Sequence, residues 1–180
     1  MQDKVMRIIA GKYRHRLINV PNLDSIKPTK DRIREAIFSS LGDLSDRTFL
    51  DLFAGSGAMG IEAISRNSPF VCFVDNNAES IKAIKSNIES LKINENHQVL
   101  FLNAEDALDR LDSVDVIYID PPYAYEDYNS LIEKIVSSHV IKDDGLIIVE
   151  TNHELDINQD EYKKVKISKY GEIYVTFLWR

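Results

Sequence analysis

From residue 48 onward the chain alternates between short apolar runs and amphipathic segments, and this alternation limits the fold more than any other feature. Thr48-Phe-Leu-Asp-Leu-Phe53 reads as a buried strand, Ala58 to Arg66 as a short helix and Phe70 to Asp75 as a second strand. Ala78 to Leu91 carries Ile81, Ile84, Ile88 and Leu91 at helical spacing. Gln98 to Leu102 is a third strand, Ala104 to Leu111 a third helix, Val114 to Ile119 a fourth strand, Tyr128 to Ser138 a fourth helix and Leu146 to Glu150 a fifth strand. Strands separated by helices predict an α/β fold, a parallel sheet covered on both faces. After residue 160 the pattern changes. Tyr162 to Ser168 and Glu172 to Trp179, joined by Lys169-Tyr-Gly171, predict a C-terminal antiparallel β-hairpin at the edge of that sheet.

The first 43 residues form a small extension ahead of the domain spanning 44–180. Met6 to Ala10 and Arg16 to Val20 are strand-like, with a turn at Gly11-Lys-Tyr-Arg-His15. Thr29 is placed to cap a helix in which Arg32, Ile33, Ala36, Ile37, Phe38 and Leu41 follow at helical spacing, and Gly42 ends it.

The first long strand runs into Asp51-Leu-Phe53-Ala54-Gly55-Ser56-Gly57-Ala-Met-Gly60. Glycines here allow a tight turn and let a ligand approach the backbone at a helix start. Twenty residues beyond Gly55, Asp75-Asn76 ends the next strand, where a carboxylate can accept both hydroxyls of a ribose. A nucleoside-containing cofactor is therefore expected across the strand ends. Gly55-x-Gly57-x-x-Gly60 also matches the dinucleotide fingerprint, so a nicotinamide-dependent oxidoreductase stays open at this point. Three features favour S-adenosylmethionine. Asp51 can hold a cationic amino group, the loop has no basic residue for a pyrophosphate, and Asn103-Ala104-Glu105-Asp106 offers polar groups for an adenine edge.

The fourth strand ends in Asp120-Pro121-Pro122-Tyr123. Two prolines fix the backbone and remove two amide donors, leaving the Asp120 carboxylate and the Pro121 carbonyl as acceptors. An exocyclic base amine is a weak nucleophile because its lone pair is delocalised. Two acceptors gripping its hydrogens favour a pyramidal nitrogen and aim the lone pair at a methyl group. Tyr123 offers a face for a flipped base. Asp120, Pro121, Pro122 and Tyr123 are thus the candidate catalytic residues. A DNA adenine-N6 or cytosine-N4 methyltransferase would use the same loop, and a non-catalytic RNA-binding module is a more remote alternative.

Charge sharpens the choice of partner. The net charge is −7, yet residues 1–34 hold nine Lys/Arg against three acids, leaving −13 on the other 146 residues. A basic extension on an acidic body predicts a local anion-seeking surface. Arg7, Lys12, Arg14, Arg16, Lys27, Thr29, Lys30 and Arg34 are the candidate RNA contacts, with Tyr13 stacking on an unpaired base. No apolar run reaches the roughly 20 residues of a membrane helix, and the start Met1-Gln-Asp-Lys4 lacks a signal-peptide core. With Cys72 as the lone cysteine, a cytoplasmic monomer is expected. His97, His139 and His153 lack metal-ligand spacing, so no metal is expected.

Beyond these motifs the whole chain resembles the bacterial RsmD-type 16S rRNA guanine-N2 methyltransferases. The resemblance is carried by Arg7-Ile-Ile-Ala-Gly-Lys-Tyr-Arg14, Pro28-Thr-Lys-Asp-Arg-Ile-Arg-Glu-Ala-Ile-Phe38, Leu50 to Ala63 and Asp120-Pro-Pro-Tyr123. It implies a Rossmann-like class I methyltransferase fold with a seven-stranded sheet. It also implies S-adenosylmethionine as donor and, as acceptor, a guanine of 16S rRNA, free or in the assembling small subunit. Lys27, Asp75 and Tyr123 stand where that family usually has Arg, Glu and Phe.

Overall fold

The computed structural model describes residues 5–21, 31–122 and 124–180. A two-stranded antiparallel sheet comes first, β1 (Val5–Arg7) against β2 (Leu17–Asn19), followed by α1 (Asp31–Leu41). Then follow β3 (Phe49–Asp51), α2 (Ala58–Ser65), β4 (Val71–Asp75), α3 (Ala78–Leu91), β5 (His97–Phe101), α4 (Ala104–Leu108), β6 (Val114–Ile119), α5 (Tyr128–Ser137), β7 (Ile141–Thr151), β8 (Lys164–Tyr170) and β9 (Ile173–Trp179). Among the described residues the strands divide into the small sheet and a seven-stranded sheet ordered β5-β4-β3-β6-β7-β9-β8.

The expected α/β architecture is present: β5, β4, β3, β6 and β7 are parallel neighbours. The short central strand β3 pairs with β4 on one side and β6 on the other, so the chain crosses first one way and then the other. That reversal opens a crevice outside the carboxyl ends of the strands.

The C-terminal hairpin lies at the edge of the sheet, as expected. Its second strand, β9, lies inside the sheet against β7, and its first strand, β8, takes the rim. The residues explain the order. Val175, Phe177 and Leu178 of β9 are buried, whereas β8 carries Lys164, Lys166 and Lys169, which suit an unpaired edge. Two expected bounds also move. The helix expected from Ala104 to Leu111 ends at Leu108, followed by a turn, and β7 starts at Ile141 rather than Leu146, across a register shift between Val114 and Val116.

α3 begins at Asn77, whose side-chain oxygen accepts from the Glu79 and Ser80 amides, and ends at Lys92 in the left-handed region. Every residue of α2 is buried, including Glu62, because the sheet covers one side and the N-terminal extension the other. Met6, Ile8, Ile18, Ile37 and Phe38 of the extension share one apolar cluster with Phe49, Ile61 and Phe73 of the body. The boundary expected near residue 43 therefore does not separate two cores.

Glu62 fastens the extension. Its carboxylate accepts the Ile9 and Ala10 amides at 2.8 and 3.0 Å and the Arg66 guanidinium at 2.8 Å. Beside it, Gly11 approaches Ser65 so closely that an added Cβ would sit 1.7 Å from the Ser65 carbonyl oxygen, at a φ of +78°. Replacing Glu62 with Ala strands two part-buried amides and a cation. The variant should lose about 3 kcal/mol in urea unfolding and expose residues 5–21 to protease. Unchanged stability would show that the extension is held by apolar contacts alone.

Candidate active site

A cleft of about 440 Å³ lies along the carboxyl ends of β3, β4, β6 and β7. Its size falls within the roughly 300–1,000 Å³ of small-molecule sites. Five carboxylates line it (Asp51, Asp75, Glu105, Asp120 and Glu150), and among the described residues no Lys or Arg does.

One half is built by the β3 and β4 ends. Asp75 accepts the Gly55 amide and the Asn77 amide, each at 2.8 Å, so its carboxylate joins the glycine loop to the start of α3. Asp51 is buried, and one of its oxygens accepts the Gly60 amide at 2.9 Å. Burial, with the Asp75 charge adding to it, pushes the Asp51 carboxyl up to about 7. Phe53, Ala54, Ser56 and Asn76 complete this wall, and Asn103, Ala104 and Glu105 face it from the end of β5.

The other half is built by the β6 and β7 ends. Asp120, Pro121 and Pro122 leave β6 along the rim, and the Pro122 carbonyl accepts the Tyr125 amide at 2.8 Å, closing a turn. A row of rings spans the mouth: Phe53, Tyr125, Tyr128 and His153 meet edge to face at centroid distances of 5.6, 5.3 and 5.7 Å. The Tyr125 hydroxyl donates to Glu105 at 3.4 Å, linking the two halves. Below the rim the Tyr118 hydroxyl donates to Glu150 at 2.7 Å. Ile173, which precedes the β9 strand residues paired with the end of β7, also lines the cleft, and Met6 of β1 lines it beside Ser56.

The family model described as conserved hypothetical protein 95 matches residues 6–179. The ribosomal RNA small subunit methyltransferase D of Haemophilus influenzae is 32% identical over 154 residues, spanning 83% of this chain and 80% of its own. This chain belongs to the RsmD methyltransferase family. The solved structure of the Escherichia coli protein yhhF superposes with a TM-score of 0.87 at 28% identity, covering 98% of both chains. A Thermus thermophilus 16S rRNA N2 G1207 methyltransferase, solved with AdoMet and guanosine, shares the fold at a TM-score of 0.73 and 19% identity, over 99% of this chain and 50% of its own. The class I methyltransferase fold is thus that of its structural neighbours.

On the RsmD scaffold most of the residues expected to hold cofactor line the cleft, but three support it from behind. Gly57 and Gly60 pack α2 down: a Cβ on Gly60 would meet the Phe73 ring at 2.2 Å, and one on Gly57 would meet Ile84 at 3.2 Å. The Asp106 amide donates to Asn103 at 2.7 Å, starting α4, and Asp106 faces away from the cleft. Of the catalytic four, Tyr123 lies outside the described residues.

The basic extension divides. Arg14 and Arg16 are exposed, Arg7 pairs with Asp31 at 2.6 Å, and Lys12 pairs with Glu95. Two candidates turn inward, which corrects the expectation for them. Arg34 is 0% exposed and donates to the Arg7 carbonyl at 2.7 Å and to Asp31 at 2.9 Å. Tyr13 is buried, its hydroxyl donating to Glu95 at 2.7 Å, so its ring face is not offered to a base. Lys27, Thr29 and Lys30 lie outside the described residues. Sequence reasoning missed Met6, Tyr118, Tyr125, Tyr128 and Glu150. For Glu150 a signal was present: like Asp51, Asp75 and Asp120, it is an acid closing an apolar run.

The raised Asp51 pKa has a stability consequence. The folded state keeps its proton up to about pH 7, while an unfolded Asp releases it near pH ~4. The stabilisation is complete below about pH 4 and is lost as pH rises towards 7. Asp51→Asn preserves the acceptor for Gly60 and cannot ionise. In urea titrations of the ligand-free protein the variant should gain a few kcal/mol relative to wild type between pH ~5 and ~8. A constant difference across that range would place the Asp51 carboxyl at an ordinary pKa.

Proposed function

We propose that this protein transfers a methyl group from S-adenosylmethionine to the N2 amine of a guanine in 16S ribosomal RNA, acting in the cytoplasm on a base flipped from its strand. The observation that carries this reading is the opening of Asp120-Pro121-Pro122 into the same cleft as the Asp51, Gly55 and Asp75 cluster.

The residues fit the cofactor. Buried Asp51, held by an amide and by no lysine or arginine of the cleft, suits a cationic α-amino group. Asp75 suits ribose hydroxyls, and Asn103 to Glu105 suit an adenine edge. Five carboxylates without a basic lining residue favour a sulfonium ligand over a pyrophosphate, which weighs against the nicotinamide alternative. Bound there, S-adenosylmethionine supplies an electrophilic methyl group.

The chain's own work is orientation. Asp120 and the Pro121 carbonyl accept the two amine hydrogens, which favours a pyramidal nitrogen and directs its lone pair into the cleft. The proton leaves late, to Asp120 or to water. Phe53, Tyr125 and Tyr128 narrow the mouth and exclude bulk water around the reacting atoms. Arg14 and Arg16 contact phosphates, and Arg7 and Lys12 can exchange their carboxylate partners for phosphate at little cost, since exposed ion pairs are worth only ~0–1 kcal/mol. The Haemophilus relative's name supports the small-subunit ribosomal RNA as the substrate. Among the described residues no acid–histidine–cysteine group could hold a metal, and no helix is long and apolar enough to cross a membrane.

Incubation with labelled S-adenosylmethionine and small-subunit rRNA, free or as particles from cells lacking the enzyme, should leave label in N2-methylguanine by nucleoside mass spectrometry. Label in N6-methyladenine of duplex DNA instead would overturn the guanine reading. Asp120→Ala should lower kcat about 10²–10³-fold and leave the cofactor Kd nearly unchanged. For the cofactor itself, calorimetric affinity should rise from pH ~6 to pH ~8 as Asp51 ionises, and Asp51→Asn should bind at least about tenfold more weakly with that rise flattened.

A further inference from the structure

The catalytic loop by itself cannot tell guanine N2 from adenine N6 or cytosine N4, because each is an exocyclic amine with two hydrogens. What separates them is the neighbouring ring nitrogen. In guanine that nitrogen, N1, carries a hydrogen; in adenine and cytosine the corresponding N1 and N3 carry a lone pair. An acceptor fixed beside the amine grip would therefore favour guanine and repel the other two.

The fold supplies such an acceptor. β6 and β7 are parallel neighbours with Ile119 opposite Val149, so Asp120 and Glu150 follow at the same level of adjacent strands. Both line the cleft, at the carboxyl ends of β6 and β7. Both also bear on one group, Tyr128: burial raises its hydroxyl to about 12, and the charges of Asp120 and Glu150 add to the effect. Glu150 is only 6% exposed, and its carboxylate is steadied by the Tyr118 hydroxyl at 2.7 Å. A carboxylate accepts at about four lone-pair sites, so one hydroxyl donor does not by itself exhaust it. Met6, Met59 and Ile173 add apolar lining to the cleft, and a hydrogen bond made in it is shielded from water.

We infer that Glu150 determines base specificity: its carboxylate accepts the N1–H of the target guanine while Asp120 and the Pro121 carbonyl hold the adjacent N2 amine. The inference rests on the guanine-N2 reading above. Tyr118 is a positioning residue that orients the Glu150 carboxylate. A substrate lacking the N1 hydrogen places a lone pair against a buried carboxylate, and a site built for a donor rejects an analogue without it far more strongly than an apolar pocket rejects a change of shape.

2-Aminopurine keeps the 2-amine but has no hydrogen on N1. The test uses the rRNA fragment or particle on which the wild-type enzyme leaves N2-methylguanine, prepared with guanine or 2-aminopurine at the methylated position. Wild type should prefer guanine by at least about 30-fold in kcat/KM, and Glu150→Gln should reduce that preference at least about tenfold with the cofactor Kd unchanged. Comparing the preference between the two proteins cancels the contribution of the missing O6. If Glu150→Gln lowers turnover on both substrates equally, Glu150 only braces the strand ends and the inference is overturned. Should that variant fail to fold by circular dichroism, wild type and Tyr118→Phe decide. A large wild-type preference that falls in Tyr118→Phe supports the role, and a wild-type preference below about threefold overturns it. Absence of N2-methylguanine from every wild-type reaction would instead overturn the guanine reading, and the specificity role with it.

Discussion

The reversal of strand order at β3 is the constraint from which the site follows. Because β4 lies on one side of this strand and β6 on the other, the carboxyl ends of four parallel strands meet around one opening. Each of those strand ends carries an acid: Asp51 closes β3, Asp75 closes β4, Asp120 follows β6 and Glu150 lies near the end of β7. Gathering this much negative charge in a partly buried crevice is unfavourable unless it is neutralised or shared. The chain shares it with backbone amides at Asp75 and Asp51 and with a hydroxyl at Glu150, and the rise of Asp51 to about 7 shows how incomplete the compensation is. The residual field suits a ligand that brings positive charge.

The same opening has two sides of different character. The Asp51 and Asp75 side is set by tight backbone geometry, with Gly57 in the left-handed region and Gly60 pressed against Phe73. The Asp120 and Glu150 side is set by side chains from distant parts of the chain, among them Tyr118 from β6, Tyr128 from α5 and Ile173 from β9. A glycine loop on one side can serve many nucleoside cofactors, whereas a pocket assembled from three separate segments can be fitted to a single base.

This difference decides what could be read from the sequence. The strand and helix order was legible because each element carries its own periodicity, and the glycine loop because its residues are contiguous. Asp51, Asp75 and Asp120 were legible because each closes an apolar run at a place where the chemistry is recognisable. Glu150 closes an equally plain run, Leu146-Ile-Ile-Val, but nothing adjacent in sequence names a role; its neighbours Tyr118 and Asp120 arrive only through strand pairing. Tyr13 and Arg34 failed in the opposite direction. Their types suit RNA, yet Glu95 for one and the Arg7 carbonyl for the other come from tertiary contacts that local pattern does not contain; only the Arg34–Asp31 pair, three residues apart on one helix, could be read locally. The order within the C-terminal hairpin follows burial, with apolar β9 against β7 and lysine-bearing β8 at the rim.

The extension is part of the catalytic body as well as its basic surface. Glu62 holds the Ile9 and Ala10 amides, and Asn87 ties Asn19 of β2 to the Ser56 carbonyl of the glycine loop at 2.9 and 3.0 Å. Met6, from the same small sheet, lines the cleft. The exposed Arg14 and Arg16 turn is therefore joined to the cleft lining and to the glycine-loop backbone through a few short bonds. Contiguity of this kind is not itself coupling, which requires two arrangements of the linking element. It does mean that the surface carrying the positive charge and the crevice carrying the negative charge are fixed relative to one another, so a polyanion bound to the first presents its bases to the second in a limited set of orientations.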